Sequence, residues 1–191
     1  MTDSPRPGPP DRPDSDLHDV EEPALGRLWA TWRMSYISSL KDGTAAGDVF
    51  SELPRRTDGP ENLIVHRGQH CYVVLNLFPY NTGHALIVPF REVGDLAELT
   101  DAEMLELMRL ASVVVKALRR CMNAQGFNLG INLGHAAGAG IPKHLHLHVV
   151  PRWAGDTNFM AVTGRTKVLP ESLPDTYDKM RRAIRAELGL D

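Results

Sequence analysis

The sequence predicts an α+β fold: an antiparallel sheet with a long helix packed on it, and further helices at the N- and C-terminal ends. Three observations carry that expectation. Between Lys143 and Pro151, His144, His146 and His148 alternate with Leu145, Leu147 and Val149, the period of two that marks a strand with two unlike faces. Upstream, apolar runs at 63–66, 71–75 and 84–89 are separated by Arg67-Gly68-Gln69 and by the Pro-, Asn- and Gly-containing segment 76–83, a pattern of strands joined by turns. Between these regions, Thr100 and Glu103 have the spacing of a capping box and open an amphipathic run that continues to Met122.

The elements follow in order. Residues 1–22 carry Pro5, Pro7, Pro9, Pro10 and Pro13 among Asp and Ser with almost nothing apolar. Such a segment cannot bury enough surface to offset its ordering entropy, so a disordered tail is expected. Residues 23–60 read as an N-terminal helix and a loop. Leu25, Leu28, Trp29, Trp32, Tyr36 and Leu40 recur at three- and four-residue spacing, Pro23 precedes them and Gly43 ends the run. The two tryptophans suit packing better than ligand stacking. Gly43, Gly47, Pro54, Gly59 and Pro60 make 41–60 the loop.

The main domain is expected over 61–160. After its first three strands, the long helix presents Met104, Leu107, Met108, Ala111, Val115, Leu118 and Met122 as a core stripe. Phe127–Leu133 is another strand, Gly134–Gly140 a loop of glycine and alanine, and the histidine strand follows. The remainder, 161–191, is a C-terminal extension with a helix from about Pro174 to Leu188, apolar at Tyr177, Met180, Ile184 and Leu188.

A chain of 191 residues suffices for one domain with a substantial core plus appendages. A formal net charge of −3 argues against a broad nucleic-acid footprint, though not against one small basic pocket. Cys71 and Cys121 lack metal-ligand spacing and read as reduced thiols. No run reaches the ~18 apolar residues of a membrane span, and the N-terminus has no apolar signal core, so a cytoplasmic protein is expected.

On a strand, His144, His146 and His148 would line one face at steps of roughly 6.6 Å, with the leucines and Val149 in the core. Imidazoles pack poorly in a row and serve as nucleophiles, proton carriers or metal ligands. As zinc ligands they are awkward: His144 and His148 stand about 13 Å apart on an ideal strand, so the three cannot converge on one ion, and His84 or Asp156 would have to complete a pair. Phosphorus chemistry asks less. An imidazole can attack a phosphoryl group and split one displacement into two. Gly130, Gly134, Gly138 and Gly140 let backbone amides approach phosphate, Asn132 can hydrogen-bond a phosphate or a neighbouring histidine, and Lys143 and Arg152 flank the strand. Each has a plainer alternative: a turn, a structural amide, solvated charges.

The run His144-Leu145-His146-Leu147-His148-Val149-Val150 resembles the His-φ-His-φ-His-φ-φ signature of the histidine-triad (HIT) superfamily of nucleotide hydrolases and transferases. Leu75-Asn76, followed eight residues later by Gly83-His84 and then Ala85–Pro89, resembles the family's upstream strand pair with its fourth histidine, and Asn132 stands where the family has an asparagine. The resemblance covers about 62–160. The Gly-His element and Pro151–Asp156 look more like the dinucleoside-polyphosphate hydrolase and phosphorylase (Fhit-like) branch than the phosphoramidase (Hint) branch. Trp29, Trp32, Arg33 and Met34, with Asp156–Met160, are similar to bacterial diadenosine tetraphosphate phosphorylases.

The resemblance implies a HIT-like fold and cleavage of dinucleoside polyphosphates, diadenosine tetraphosphate among them, through an AMP–His146 intermediate. His84, His144 and His148 would orient the nucleophile and stabilise phosphate oxygens. Asn76 would contact the ribose and Leu75 flank the base; Asn132, Gly138, Gly140, Lys143 and Trp153 complete the expected substrate-binding set. No resident cofactor or metal is implied, with Mg2+ able to accompany the polyphosphate. A homodimer joined through helix and sheet edge is expected, a tetramer being the larger arrangement. There is one departure: many members have Ser, Thr or Gln five or six residues before the nucleophile, where this chain has Ile141 and Gly140. That leaves the acceptor open between phosphate, giving ADP and ATP, and water, giving AMP and ATP. A purine nucleoside phosphoramidase is the other enzyme reading, and a non-catalytic nucleotide-binding signalling module the third. For a histidine nucleophile, the acid fall in rate is expected near an ordinary ~6.5 unless phosphate charge raises it.

Overall fold

Val, Ile and Leu runs bounded by turns become strands, and two amphipathic helices cover one face of the sheet they form. The protein is described by a computed structural model over residues 48–163 and 168–190; the expected tail and the Leu25–Leu40 helix lie outside these described residues. Among these residues five strands, β1 (Ile64–Arg67), β2 (Cys71–Leu75), β3 (Ala85–Pro89), β4 (Gly126–Ile131) and β5 (Leu147–Arg152), lie in the order β1-β2-β3-β5-β4. Every neighbouring pair is antiparallel. β5, which carries His148, is therefore an inner strand. β2 and β3 are buried along their whole length, and Leu145, Leu147 and Val149 join their core as the alternation predicts.

Among the described residues four helices accompany the sheet: α1 (Val49–Glu52), α2 (Asp101–Met122), α3 (Met160–Thr163) and α4 (Leu173–Leu188). α2 begins at the expected capping box. The Glu103 amide donates to Thr100 Oγ1 at 3.3 Å and the Thr100 amide donates back to the Glu103 carboxylate at 2.8 Å. Asn123, in the left-handed conformation (φ 52°), ends the helix. Glu106 on α2 also accepts the amides of Gln69, His70 and Cys71, stapling the β1–β2 turn to the helix. α4 buries Tyr177, Met180, Ala183 and Ile184 against α2 and β1.

Three expectations are corrected. First, the core face of α2 is Leu107, Leu110, Ala111, Val114, Ala117 and Leu118, whereas Met104 and Met108 are 40% and 54% exposed. Two apolar stripes at helical spacing compete here. The one with two alanines lets the helix approach the sheet closely and orders fewer flexible side chains. Second, the expected loop at 41–60 contains α1 and a 3-10 turn at Leu53–Arg55. A four-residue helix is too short for periodicity to reveal, yet Phe50 on it belongs to the core. Third, the histidine strand starts at Leu147, not His144. The His144 amide donates back to the Ile141 carbonyl at 3.2 Å in a turn, and Leu145 donates to Val93, so neither amide enters the ladder.

Candidate active site

Gly83 and His84 close the connection from β2 to β3. Gly83 has φ +80°, and a Cβ there would lie 2.8 Å from Leu118 Cδ2 and 3.0 Å from the Met122 sulfur, so close packing and conformation both demand glycine. Asn81 secures the same loop. Its side-chain amide donates to the Pro151 carbonyl at 3.0 Å and to Asp156 at 2.9 Å, and its backbone carbonyl accepts the His84 amide at 3.0 Å. Asp156 in turn receives both ends of the Arg152 guanidinium at 2.7 and 2.8 Å, and this pairing holds its carboxyl well below the usual range.

The loop delivers His84 to His148: Nε2 of the first is 3.0 Å from Nδ1 of the second. The Tyr80 amide donates to His84 Nδ1 at 3.0 Å. That assigns the His84 proton to Nε2, whence it is donated to His148 Nδ1, and a neutral His148 then carries its own proton on Nε2. The Asn76 amide lies 3.3 Å from His84 Nδ1, while its carbonyl accepts the Phe78 amide at 3.0 Å. The Tyr80 ring is nearly parallel to His148 (13°, centroids 5.9 Å apart) and 4.7 Å from His84.

His146 lies beside this pair, its ring 4.9 Å from that of His148. Its Nδ1 is 2.9 Å from the His144 backbone carbonyl; only an N–H can make that bond, so the lone pair of the neutral ring sits on Nε2. Burial pushes the His146 pKa below the ordinary histidine value, outweighing the opposing effect of that backbone hydrogen bond.

His144 corrects a further expectation. The strand spacing places it on one face with His146 and His148, but it is fully buried. Its Nε2 donates to the Pro89 carbonyl at 2.8 Å and its Nδ1 makes a short hydrogen bond to Asp48. The Phe50 ring meets His144 edge-on at 5.6 Å and His146 at 5.0 Å. The two-residue rule for a shared face holds only on a strand, and the backbone at 144 is in a turn.

The site thus gathers His84, His146 and His148, with Asn76 at its margin and His144 behind. Leu75 is buried at the end of β2. In the ladder Gly130 stands opposite His148 and Ile131 opposite Leu147, and Asn132 follows directly after the last pair. Gly138 (φ 82°) ends the turn at His135–Ala137, and Gly140 lies half-buried beyond it. Two expected residues point elsewhere. Lys143 is exposed in a hollow it shares with Glu92, Asp95 and Glu98. The Trp153 indole donates to the Met122 carbonyl at 3.1 Å. Sequence reasoning missed Asp48, Phe50 and Tyr80; for Asp48 the only signal is an N-cap residue before an apolar pair, which says nothing about a partner 96 positions away.

Among the described residues, no cluster of three or more His, Cys, Asp or Glu is arranged to hold a metal ion, and no helix is long and apolar enough to cross a membrane. Cys71 and Cys121 are free thiols, and burial pushes Cys71 up to about 12.

An imidazole with a lone pair on Nε2, flanked by a hydrogen-bonded histidine pair on an antiparallel α+β scaffold, defines the class. The HIT domain family model matches residues 57–155, and the chain belongs to the HIT family. It is similar to the AP-4-A phosphorylase of Mycobacterium tuberculosis, 42% identical over 169 residues that cover 85% of this chain and 84% of that protein. It is also similar to the asymmetrical bis(5'-nucleosyl)-tetraphosphatase of Schizosaccharomyces pombe, 32% identical over 93 residues, 49% of this chain and 50% of that one. Among solved structures, a zinc-bound histidine triad family protein from Mycobacterium smegmatis shares the fold, with a TM-score of 0.60 and 21% identity over 74% of this chain and 95% of that chain.

Proposed function

We propose that this protein cleaves dinucleoside polyphosphates such as diadenosine tetraphosphate by nucleotidyl transfer through His146, with phosphate as acceptor. The observation that carries the reading is the bare Nε2 of His146, set by the 2.9 Å bond from Nδ1 to the His144 carbonyl; the similarity to a phosphorylase over most of both chains supports the substrate class. In the first step Nε2 attacks the α-phosphorus, a P–N bond forms, the P–O bond to the bridging oxygen breaks, and ATP leaves. In the second, a phosphate oxygen attacks the AMP–His146 phosphorus, giving ADP and restoring the imidazole. His148, held by His84, stabilises non-bridging oxygens, and His144 supplies the carbonyl that fixes the nucleophile.

Asn76 meets the ribose at the margin of the site and Leu75 supports the base slot from within the core. Asn132, just past the end of β4, and the backbone of Gly138 and Gly140 receive the phosphates. Lys143 and Trp153 take the outer and scaffold positions that their neighbours dictate. The protein works without a resident cofactor, Mg2+ accompanying the polyphosphate, in the cytoplasm, as a homodimer joined through the outer edge of β4.

Water is the alternative acceptor, since Gly140 and Ile141, where many family members have Ser, Thr or Gln, leave the choice of acceptor open. Incubation with diadenosine tetraphosphate, with and without phosphate, decides between them by the products. ADP and ATP in a phosphate-dependent reaction support the phosphorylase. AMP and ATP regardless of phosphate make the protein a hydrolase. Turnover of a purine nucleoside phosphoramidate alone makes it a phosphoramidase, and binding without turnover makes it a nucleotide-binding module.

A further inference from the structure

The innermost histidine is gripped by a segment outside the strand pattern. Asp48 caps α1, accepting the amides of Phe50 at 3.1 Å and Ser51 at 3.2 Å, and the Ser51 hydroxyl donates to Oδ2 at 2.6 Å. The same Oδ2 meets His144 Nδ1. Burial alone would raise this carboxyl; Ser51, His144 and the Phe50 amide together hold it below the ordinary carboxylate range. The segment is not loosely placed. The Tyr72 hydroxyl donates to the Phe50 carbonyl at 2.7 Å and Arg67 donates to the Pro54 carbonyl at 2.8 Å.

We propose that Asp48 is a positioning residue for the nucleophile: its carboxylate and the Pro89 carbonyl clamp the His144 ring between them, and the His144 carbonyl then fixes His146 with its proton on Nδ1 and its lone pair on Nε2. Both ring nitrogens of His144 face oxygen acceptors, an arrangement satisfied by a ring protonated on both. A carboxylate that orients an imidazole is a familiar device behind metal ligands and general bases. Here it acts one peptide unit removed, through a backbone carbonyl. The groups facing this pair are few: Ser51 and Phe50 from α1, Tyr72 from β2, the Pro89 carbonyl from β3 and His146 two residues along. Phe50 completes the clamp by packing against both imidazoles. The inference rests on the nucleotidyl-transfer reading, since it concerns how that nucleophile is held.

Asp48→Asn tests it with little disturbance of α1, because Asn caps helices as well as Asp. The expected result is a kcat for diadenosine tetraphosphate roughly 10- to 100-fold lower, the range typical for loss of such an orienting partner, with KM nearly unchanged. A second readout needs no turnover. Isotope-labelled imidazole NMR of the nucleotide-free wild type should show His144 protonated on both ring nitrogens and His146 on Nδ1, with His144 falling to one proton in Asp48→Asn. Wild-type kcat in the variant, a loss confined to KM, or a singly protonated His144 in the wild-type protein would overturn the proposal. If the wild type itself cleaves no dinucleoside polyphosphate, the functional reading fails, and the spectra alone decide whether Asp48 holds His144. They do so too if the variant does not fold.

Discussion

A histidine attacks phosphorus only through an unprotonated nitrogen; at His146 burial keeps the ring neutral, outweighing the opposing backbone hydrogen bond, and the His144 carbonyl puts the lone pair of that neutral ring on Nε2. Because the folded pKa is lowered, kcat/KM should hold as pH falls past ~6.5 and decline only below it, which a pH profile of the free enzyme measures. The same shift has a stability consequence. The unfolded chain takes up this proton first, so the contribution of His146 is constant above the unfolded value and stability falls with pH between the unfolded and folded values; thermal melts across that window check it. His146→Ala should abolish turnover while calorimetry still detects nucleotide binding, since the lost bond exists only along the reaction path. At this scale the sequence is informative where chemistry is local. His84, His146 and His148 are legible from spacing and resemblance. Asp48 is not, because its pairing with His144 depends on the whole fold bringing residues 96 positions apart together.

Elements differ in how plainly they announce themselves. The capping box at Thr100 reads directly, and its acid now has a measurable role. Arg91 beside Glu103, aided by the Thr100 amide and hydroxyl and opposed by burial, takes its carboxyl from 4.5 down to about 2. Such a group contributes stability that is complete above the unfolded value and is lost as pH falls through the folded one. Glu103→Gln should therefore lower the melting temperature at neutral pH and flatten its acid dependence between 4.5 and 2. Gly83→Ala is expected to be costly in a different way. The left-handed backbone alone adds about 1–2 kcal/mol, and the added methyl collides with Leu118 and Met122. Denaturant unfolding should show the lost stability, and turnover should fall with it because His84 follows directly. The face of α2 and the extent of α1 were hidden for physical reasons: two competing apolar stripes in one helix, and only four residues in the other.

For the molecule as a whole, the two sheet edges are unequal. β1 and β4 are both unpaired on their outer sides among the described residues; β1 packs on α4, whereas Leu129 on β4 is 46% exposed. An exposed edge invites pairing, so sedimentation should find a dimer, and Leu129→Lys should shift it toward monomer. The sequence showed five strands and their antiparallel pairing but could not show which strands take the edges, since the order in the sheet depends on pairing between distant segments. The late start of β5 has a consequence of its own. Had regular pairing run back to His144, its carbonyl would point along the sheet toward a neighbouring strand, and the imidazole two residues on would have no acceptor within reach. Both tautomers of that ring would then interconvert, and much of the population would present an N–H to phosphorus. Local irregularity is thus what holds that ring to one tautomer, and under the proposed mechanism a variant that perfected the sheet there should gain order and lose turnover.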